Sequence, residues 1–155
     1  MRVLEVTPLG TFSGSFRVTA EGREITCLDI ARLRDSGAFE LAGIPYRLER
    51  EGTFRGRYSL VERERVIARA ERKGFLRPWY QVTAGDRLLV LRQRGFFGSL
   101  FTVEQNRASL GTIRRRGVIH RIATATLDDK IPLPCQMLLL FLALVQWRRQ
   151  ARRSA

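Results

Sequence analysis

The sequence predicts a mainly β protein in which about twelve antiparallel strands close into a barrel around a hydrophobic C-terminal helix. Three observations predict it. Residues 2–126 carry short runs of period-two alternation punctuated by turns, the sequence repeats itself at a spacing of 42 positions, and the last long segment is apolar on every face. A chain of 155 residues suits one domain, here 1–155, and this size buries enough surface to need no disulfide or metal. Hydrophobic residues at 45% and charged ones at 28% exclude disorder and a polytopic membrane protein. Two cysteines, Cys27 and Cys135, exclude a disulfide scaffold and a four-ligand zinc site.

The repeat sets Gly10-Thr11-Phe12-Ser13-Gly14 against Gly52-Thr53-Phe54-Arg55-Gly56, with a weaker echo in Phe96-Phe97-Gly98. The second and third units also match at Gly43 and Gly85, Arg50 and Arg92, Val61 and Val103, and Glu62 and Glu104. Turns fall at Ala20-Glu21-Gly22-Arg23, Ala42-Gly43, Ala84-Gly85-Asp86 and Gln105-Asn106-Arg107. Between them the clearest strands are 12–20, 24–30, 44–50, 55–62, 65–72, 78–84, 87–93, 97–104, 108–115 and 118–126. That is about four strands per unit and ten to twelve in all. Three such units are too few to close a propeller, which takes four to eight blades.

From about residue 132 to 149 the pattern becomes helical, and residues 150–155 read as a basic tail. Pro132 and Pro134 suit a helix start, and Met137–Val145 is unbroken apolar sequence that covers all faces at 100° per residue. Eleven large apolar side chains lie between Ile131 and Trp147, each worth about 1.5–3 kcal/mol when buried, so this helix must be enclosed. A bilayer span takes about 20 apolar residues, more than this stretch offers with Pro134, Gln136 and Gln146 inside it. Enclosure by strands fits better. Eight strands fill their own barrel, whereas twelve leave room for a plug. A helix of about 16 residues and a strand of about 7–8 residues have the same length, roughly 25 Å.

Charge is distributed unevenly. Lys and Arg total 28 against 15 Asp and Glu, and all but Lys73 and Lys130 of the basic residues are arginine. Residues 1–86 hold 15 basic and 12 acidic groups, net +3, while 87–155 hold 13 and 3, net +10. Such an excess attracts polyanions, acidic lipid headgroups or nucleic acid, or simply reflects composition. Candidate anion-binding residues are Arg114, Arg115 and Arg116 at an expected hairpin tip, Arg121 on the next strand, and Arg148, Arg149, Arg152 and Arg153 after the helix. The alternatives are a solvated turn that blunts a sheet edge, and cations that complement the helix C-terminus.

His120 alternates with Val118 and Ile122 and reads as a core or rim histidine. Cys27 and Cys135 read as buried thiols, and Asp128 and Asp129 as anions favouring the helix start. Trp79, Tyr80, Phe96, Phe97 and Phe101 read as core aromatics rather than a base-stacking platform. Phosphate-loop, nucleophile-elbow and zinc-protease motifs are lacking in the sequence. No catalytic residues, metal ligands or cofactor are therefore expected. The N-terminal residues lack the apolar core of a secretory signal, which with two free thiols leads to a cytoplasmic expectation.

The Gly-Xaa-Phe-Xaa-Gly strand starts, Tyr46-Arg47-Leu48-Glu49-Arg50, and the ending Asp128–Pro134 followed by Leu138–Arg149 resemble the tubby C-terminal-like superfamily. That group includes tubby domains, LURP-one-related proteins and phospholipid scramblases, and the chain is similar to its short bacterial members. The resemblance implies twelve strands around a hydrophobic central helix. It also implies a non-enzymatic binding or scaffolding module, since tubby domains bind phosphoinositide headgroups through basic residues. The chain shows no recognisable scramblase calcium segment and no palmitoylation-type cysteine cluster. An acidic membrane surface is thus the first expected partner, with peripheral membrane association. Three alternatives stand: nucleic-acid binding, a scramblase-like protein with its C-terminal helix inserted in a membrane, and an enzyme using the barrel mouth. Oligomeric state is not readable from the sequence.

Overall fold

Alternating sequence becomes strand because one face of each run can be buried and the other solvated, and twelve such runs form a single ring. The computed structural model describes residues 1–10, 14–52, 56–95, 98–116 and 122–153. Strands β1 (Arg2–Pro8), β2 (Ser15–Ala20), β3 (Arg23–Ile30) and β4 (Gly37–Leu41) are followed by β5 (Ile44–Arg50), β6 (Arg57–Glu62), β7 (Arg65–Lys73) and β8 (Trp79–Ala84). Then come β9 (Arg87–Arg94), β10 (Leu100–Gln105), β11 (Ala108–Arg116), β12 (Ile122–Leu127) and the helix α1 (Leu133–Arg153). Each strand pairs antiparallel with the next, and β1 pairs with β12 from Arg2↔Leu127 to Val6↔Ala123, which closes the barrel. Closure leaves no open sheet edge.

The repeat has a structural meaning. Strands β2, β6 and β10 occupy equivalent places in three four-strand units, and each breaks register with its successor at one point: Val18/Thr19, Leu60/Val61 and Val103/Glu104. The extra residue falls at Ile25, Ile67 and Leu110, three aliphatic side chains packed against the core. Such bulges sharpen strand twist, which a closed barrel requires. In the third unit the bulge includes Gly111, with φ +138° and a position where a Cβ would collide with the Thr126 carbonyl oxygen.

The two ends of the barrel differ. At one end the strands reverse through two-residue turns: Glu21-Gly22, Ala42-Gly43, Arg63-Glu64 and Asn106-Arg107 have positive φ at both positions, while Gly85-Asp86 does so only at the glycine. These backbone geometries match the right-handed strand twist. At the other end the connections are longer, spanning 9–14, 31–36, 51–56, 74–78, 95–99 and 117–121. The helix starts beside the tight turns and ends among the long loops.

Helix α1 is buried on all sides from Cys135 to Ala143 and again from Val145 to Trp147. Small inward residues, Ala68, Ala70, Ala123 and Ala125, make room for it on the barrel wall. Phe141 packs edge-on against Tyr58 and Trp147 edge-on against Phe101. Its two buried amides each make a bond, with Gln136 Nε2 donating to the Ile131 carbonyl at 2.8 Å and Gln146 Oε1 accepting from the Tyr80 hydroxyl at 3.1 Å, while Gln136 Oε1 is buried without a partner among the described residues. No helix among the described residues is long and apolar enough to cross a membrane. The helix also runs further than expected. Residues 150–153, read from the sequence as tail, continue it to Arg153.

Candidate functional site

Charge sorts by barrel end. Among the described residues, the long loops and the final helical stretch 148–153 carry Arg32, Arg34, Arg77, Arg148, Arg149, Arg152 and Arg153 against Asp35 and Glu51. The tight-turn end and the β12–α1 link carry Arg63, Arg107 and Lys130 against Glu21, Glu64, Asp86, Asp128 and Asp129. Strand ends add little to the contrast. Arg50, Arg57, Lys73, Arg94 and Arg116 end strands at the long loops, with Arg57 and Lys73 paired to Glu71 and Arg94 to Glu104, while Arg2, Arg23, Arg65 and Arg87 end strands at the other side. The loop end is therefore a cationic disc, and it is the candidate site.

Two of its arginines are fastened. Arg148 donates to the carbonyls of Ala31 at 2.7 Å and Arg34 at 3.2 Å, and to Asp35 Oδ1 at 3.1 Å. Arg149 pairs with Asp35 Oδ2 and donates to the Tyr58 hydroxyl at 3.0 Å. These contacts clamp the β3–β4 loop onto the end of the helix. Burial opposes ionisation of Asp35, but hydrogen bonds and charge from Arg149 and Arg148 outweigh it and hold the carboxyl below its ordinary range. Tyr58 is pushed far up by burial and stays a neutral hydroxyl. Asp35 and Tyr58 were not distinguished in the sequence, because their partners lie more than ninety positions away.

The remaining expected residues separate. Arg152 donates to the Arg32 carbonyl at 2.7 Å, while Arg153 is exposed at the helix end. Arg114, Arg115 and Arg116 do not sit together at a hairpin tip. They end strand β11, where alternation leaves Arg114 and Arg116 exposed and turns Arg115, half-buried, to the same side as Ile113. All three nonetheless lie at the cationic end. Arg77, Arg114, Arg115, Arg116 and Arg153 make no ion pair with a described carboxylate. Arg121 and His120 lie outside the described residues, as do Phe96 and Phe97.

Other expectations resolve by burial. Tyr80 and Phe101 are fully enclosed core aromatics, and Trp79 is half-buried with the Arg92 guanidinium 5.1 Å from its ring centroid. Cys135 is a buried thiol, whereas Cys27 is only partly covered, on the outer side of β3 beside Asp29. Burial raises the pKa of both, with Asp29 adding to the effect at Cys27. Asp128 accepts from the Lys130 backbone N–H at 2.8 Å and so shapes the turn before the helix. One cleft of about 220 Å³ opens at the loop end, lined by Leu76, Arg77, Gln93, Arg94 and Gln150 among others.

No family model and no curated protein matches the chain. A solved structure does: the X-ray structure of an Arabidopsis thaliana protein, a LURP-one-related one, superimposes with a TM-score of 0.59, covering 92% of this chain and 91% of that one. At 11% identity this likeness establishes a shared barrel architecture and nothing about ligand or activity.

Proposed function

We propose that this protein is a non-enzymatic binding module of the tubby C-terminal-like type, which docks on anionic phospholipid surfaces through the loop end of its barrel. The observation that carries the reading is the division of charge along the barrel axis, with seven arginines facing two carboxylates in the loops and helix end. Those two carboxylates are already engaged, Asp35 by Arg148 and Arg149, and Glu51 by Arg69 and Ser59. Among the others, Arg34, Arg77 and Arg153 are exposed, and guanidiniums so placed can meet phosphate oxygens bidentately. A cationic patch gains about 1 kcal/mol per Lys or Arg near an anionic leaflet. The likeness to the Arabidopsis protein is one of fold, so the ligand class rests on this charge pattern and on the sequence resemblance.

Vesicle co-sedimentation tests the reading. The protein should pellet with phosphatidylserine-containing vesicles at low salt and remain soluble with phosphatidylcholine alone. Equal pelleting with both, or with neither, would refute it.

A further inference from the structure

The same end that collects the arginines also carries the most exposed apolar side chains of the described structure. Leu33 is 94% exposed in the β3–β4 loop, and Phe75 and Leu76 are 94% and 87% exposed in the β7–β8 loop. Solvent exposure of this degree is unusual for such residues when three occur at one end. The rest of the exposed large apolar residues are either less exposed, as Val3, Leu9, Val66 and Leu88, or at the chain's first residue.

Both loops have the same local pattern. Leu33 stands between Arg32 and Arg34, and Phe75-Leu76 stands between Lys73-Gly74 and Arg77. Neither tip belongs to a strand alternation, so no barrel face claims these side chains. The helix end fastens the first of these loops and lies beside the second. The β3–β4 loop is fixed by Arg148 and Arg149, and Arg152 also binds the Arg32 carbonyl. On the other side, Leu76 and Arg77 share the cleft wall with Gln150, which is hydrogen-bonded to Gln93. The tips therefore flank the last turns of α1 on a common end of the barrel.

We infer that Leu33, Phe75 and Leu76 form a membrane-inserting wedge, so that the barrel stands end-on with α1 pointing its C-terminus at an anionic phospholipid bilayer. This rests on the proposed function, and it adds the depth and orientation of docking. Aliphatic and aromatic side chains enter the boundary between headgroups and acyl chains, while flanking cations stay at the phosphate level. The charge on the page selects this occupant. A ring of guanidiniums around the tips complements anionic headgroups, and it repels a second copy of the same cationic end. A nucleic acid admits such side chains only between unstacked bases, at about a few kcal/mol per step, whereas the headgroup–acyl boundary accepts them without that cost.

The test compares wild type with Leu33→Ser/Phe75→Ser/Leu76→Ser and with the single variant Phe75→Trp, on phosphatidylserine–phosphatidylcholine vesicles. All three residues are exposed, so the triple variant should keep the wild-type Tm. The wedge requires that the triple variant bind at least about tenfold more weakly, that its residual binding vanish at high salt, and that wild-type binding partly survive. Fluorescence of Phe75→Trp should shift to the blue and be quenched by lipids brominated near the top of the acyl chain. Unchanged affinity and salt dependence in the triple variant, with no added quenching from Trp at 75, overturn the wedge while leaving surface docking intact. Wild type that ignores acidic vesicles overturns the docking reading itself. Self-association that the triple variant abolishes, without vesicle binding, assigns the tips to a second copy and likewise overturns the wedge.

Discussion

Asp35 concentrates more of the local electrostatics than any other acidic residue at the loop end. Its carboxylate holds two arginines of the helix and accepts from Tyr58 at 3.4 Å, with its own side chain only 11% exposed. Replacing it by Asn leaves Arg148 and Arg149 without their counter-charge. Breaking one side of a partly buried pair should cost about 2–4 kcal/mol, read as a lower Tm at neutral pH. The sign of the pH dependence follows from the depressed pKa. The contribution is fully present above the ordinary value of 3.8 and is lost as pH falls through the lower, folded value. Wild type and Asp35→Asn should therefore differ by a constant amount above about pH 5 and converge in strong acid. A gap that stays constant in acid would show that the carboxylate charge is not what holds the clamp. Arginines 148 and 149 illustrate how a sequence reading separates charge from role. Their position after the helix was legible, whereas their partner comes from a loop more than one hundred positions earlier, which no local pattern reveals.

At the scale of elements, the helix and the bulges carry the fold. Leu140 is fully enclosed by the barrel, so Leu140→Ala should cost about 2–5 kcal/mol by denaturant unfolding. Leu144, only partly buried, should cost less by the same measurement. Gly111→Ala tests the third bulge. A methyl there meets the Thr126 carbonyl and forces an L-residue into a sparsely populated φ, so a loss of at least about 2 kcal/mol is expected. Little change in either variant would mean that the wall relaxes around the helix more freely than a close-packed core permits. The alternation and the turns made most strands legible, including the four-strand unit, because a two-residue period and Glu21-Gly22-type reversals are local properties. The bulges were not legible. They show only as one residue more on one strand than on its partner, which requires the pairing itself. The continuation of the helix to Arg153 was missed for a similar reason, since Gln150, Arg152 and Arg153 look like a tail until Gln93 and the Arg32 carbonyl bind the first two.

For the molecule as a whole, the barrel converts sequence order into two chemically different ends. Reversing charge at the loop end by Arg77→Glu with Arg153→Glu should weaken binding to acidic vesicles tenfold or more, at about 1 kcal/mol or above for each residue. Reversing Arg63 and Arg107, at the tight-turn end, should change it little. Equal effects at both ends would mean that net charge alone drives adsorption. The two pairs alter total charge equally, so the comparison isolates position.

By itself the sequence determined ten of the twelve strands, with β1 and β4 not among its clear runs, their antiparallel order and the place of the helix inside. Each follows from local periodicity, from turn chemistry, or from the cost of leaving an all-apolar helix in water. The tertiary structure alone decided which arginines stay available and which are fastened. It placed Arg114 and Arg116 opposite Arg115, tied Arg148 and Arg149 to Asp35, and brought Leu33, Phe75 and Leu76 to one end. The physical reason is that charge recognition and exposure depend on distances across the barrel, and those distances exist only once the ring has closed.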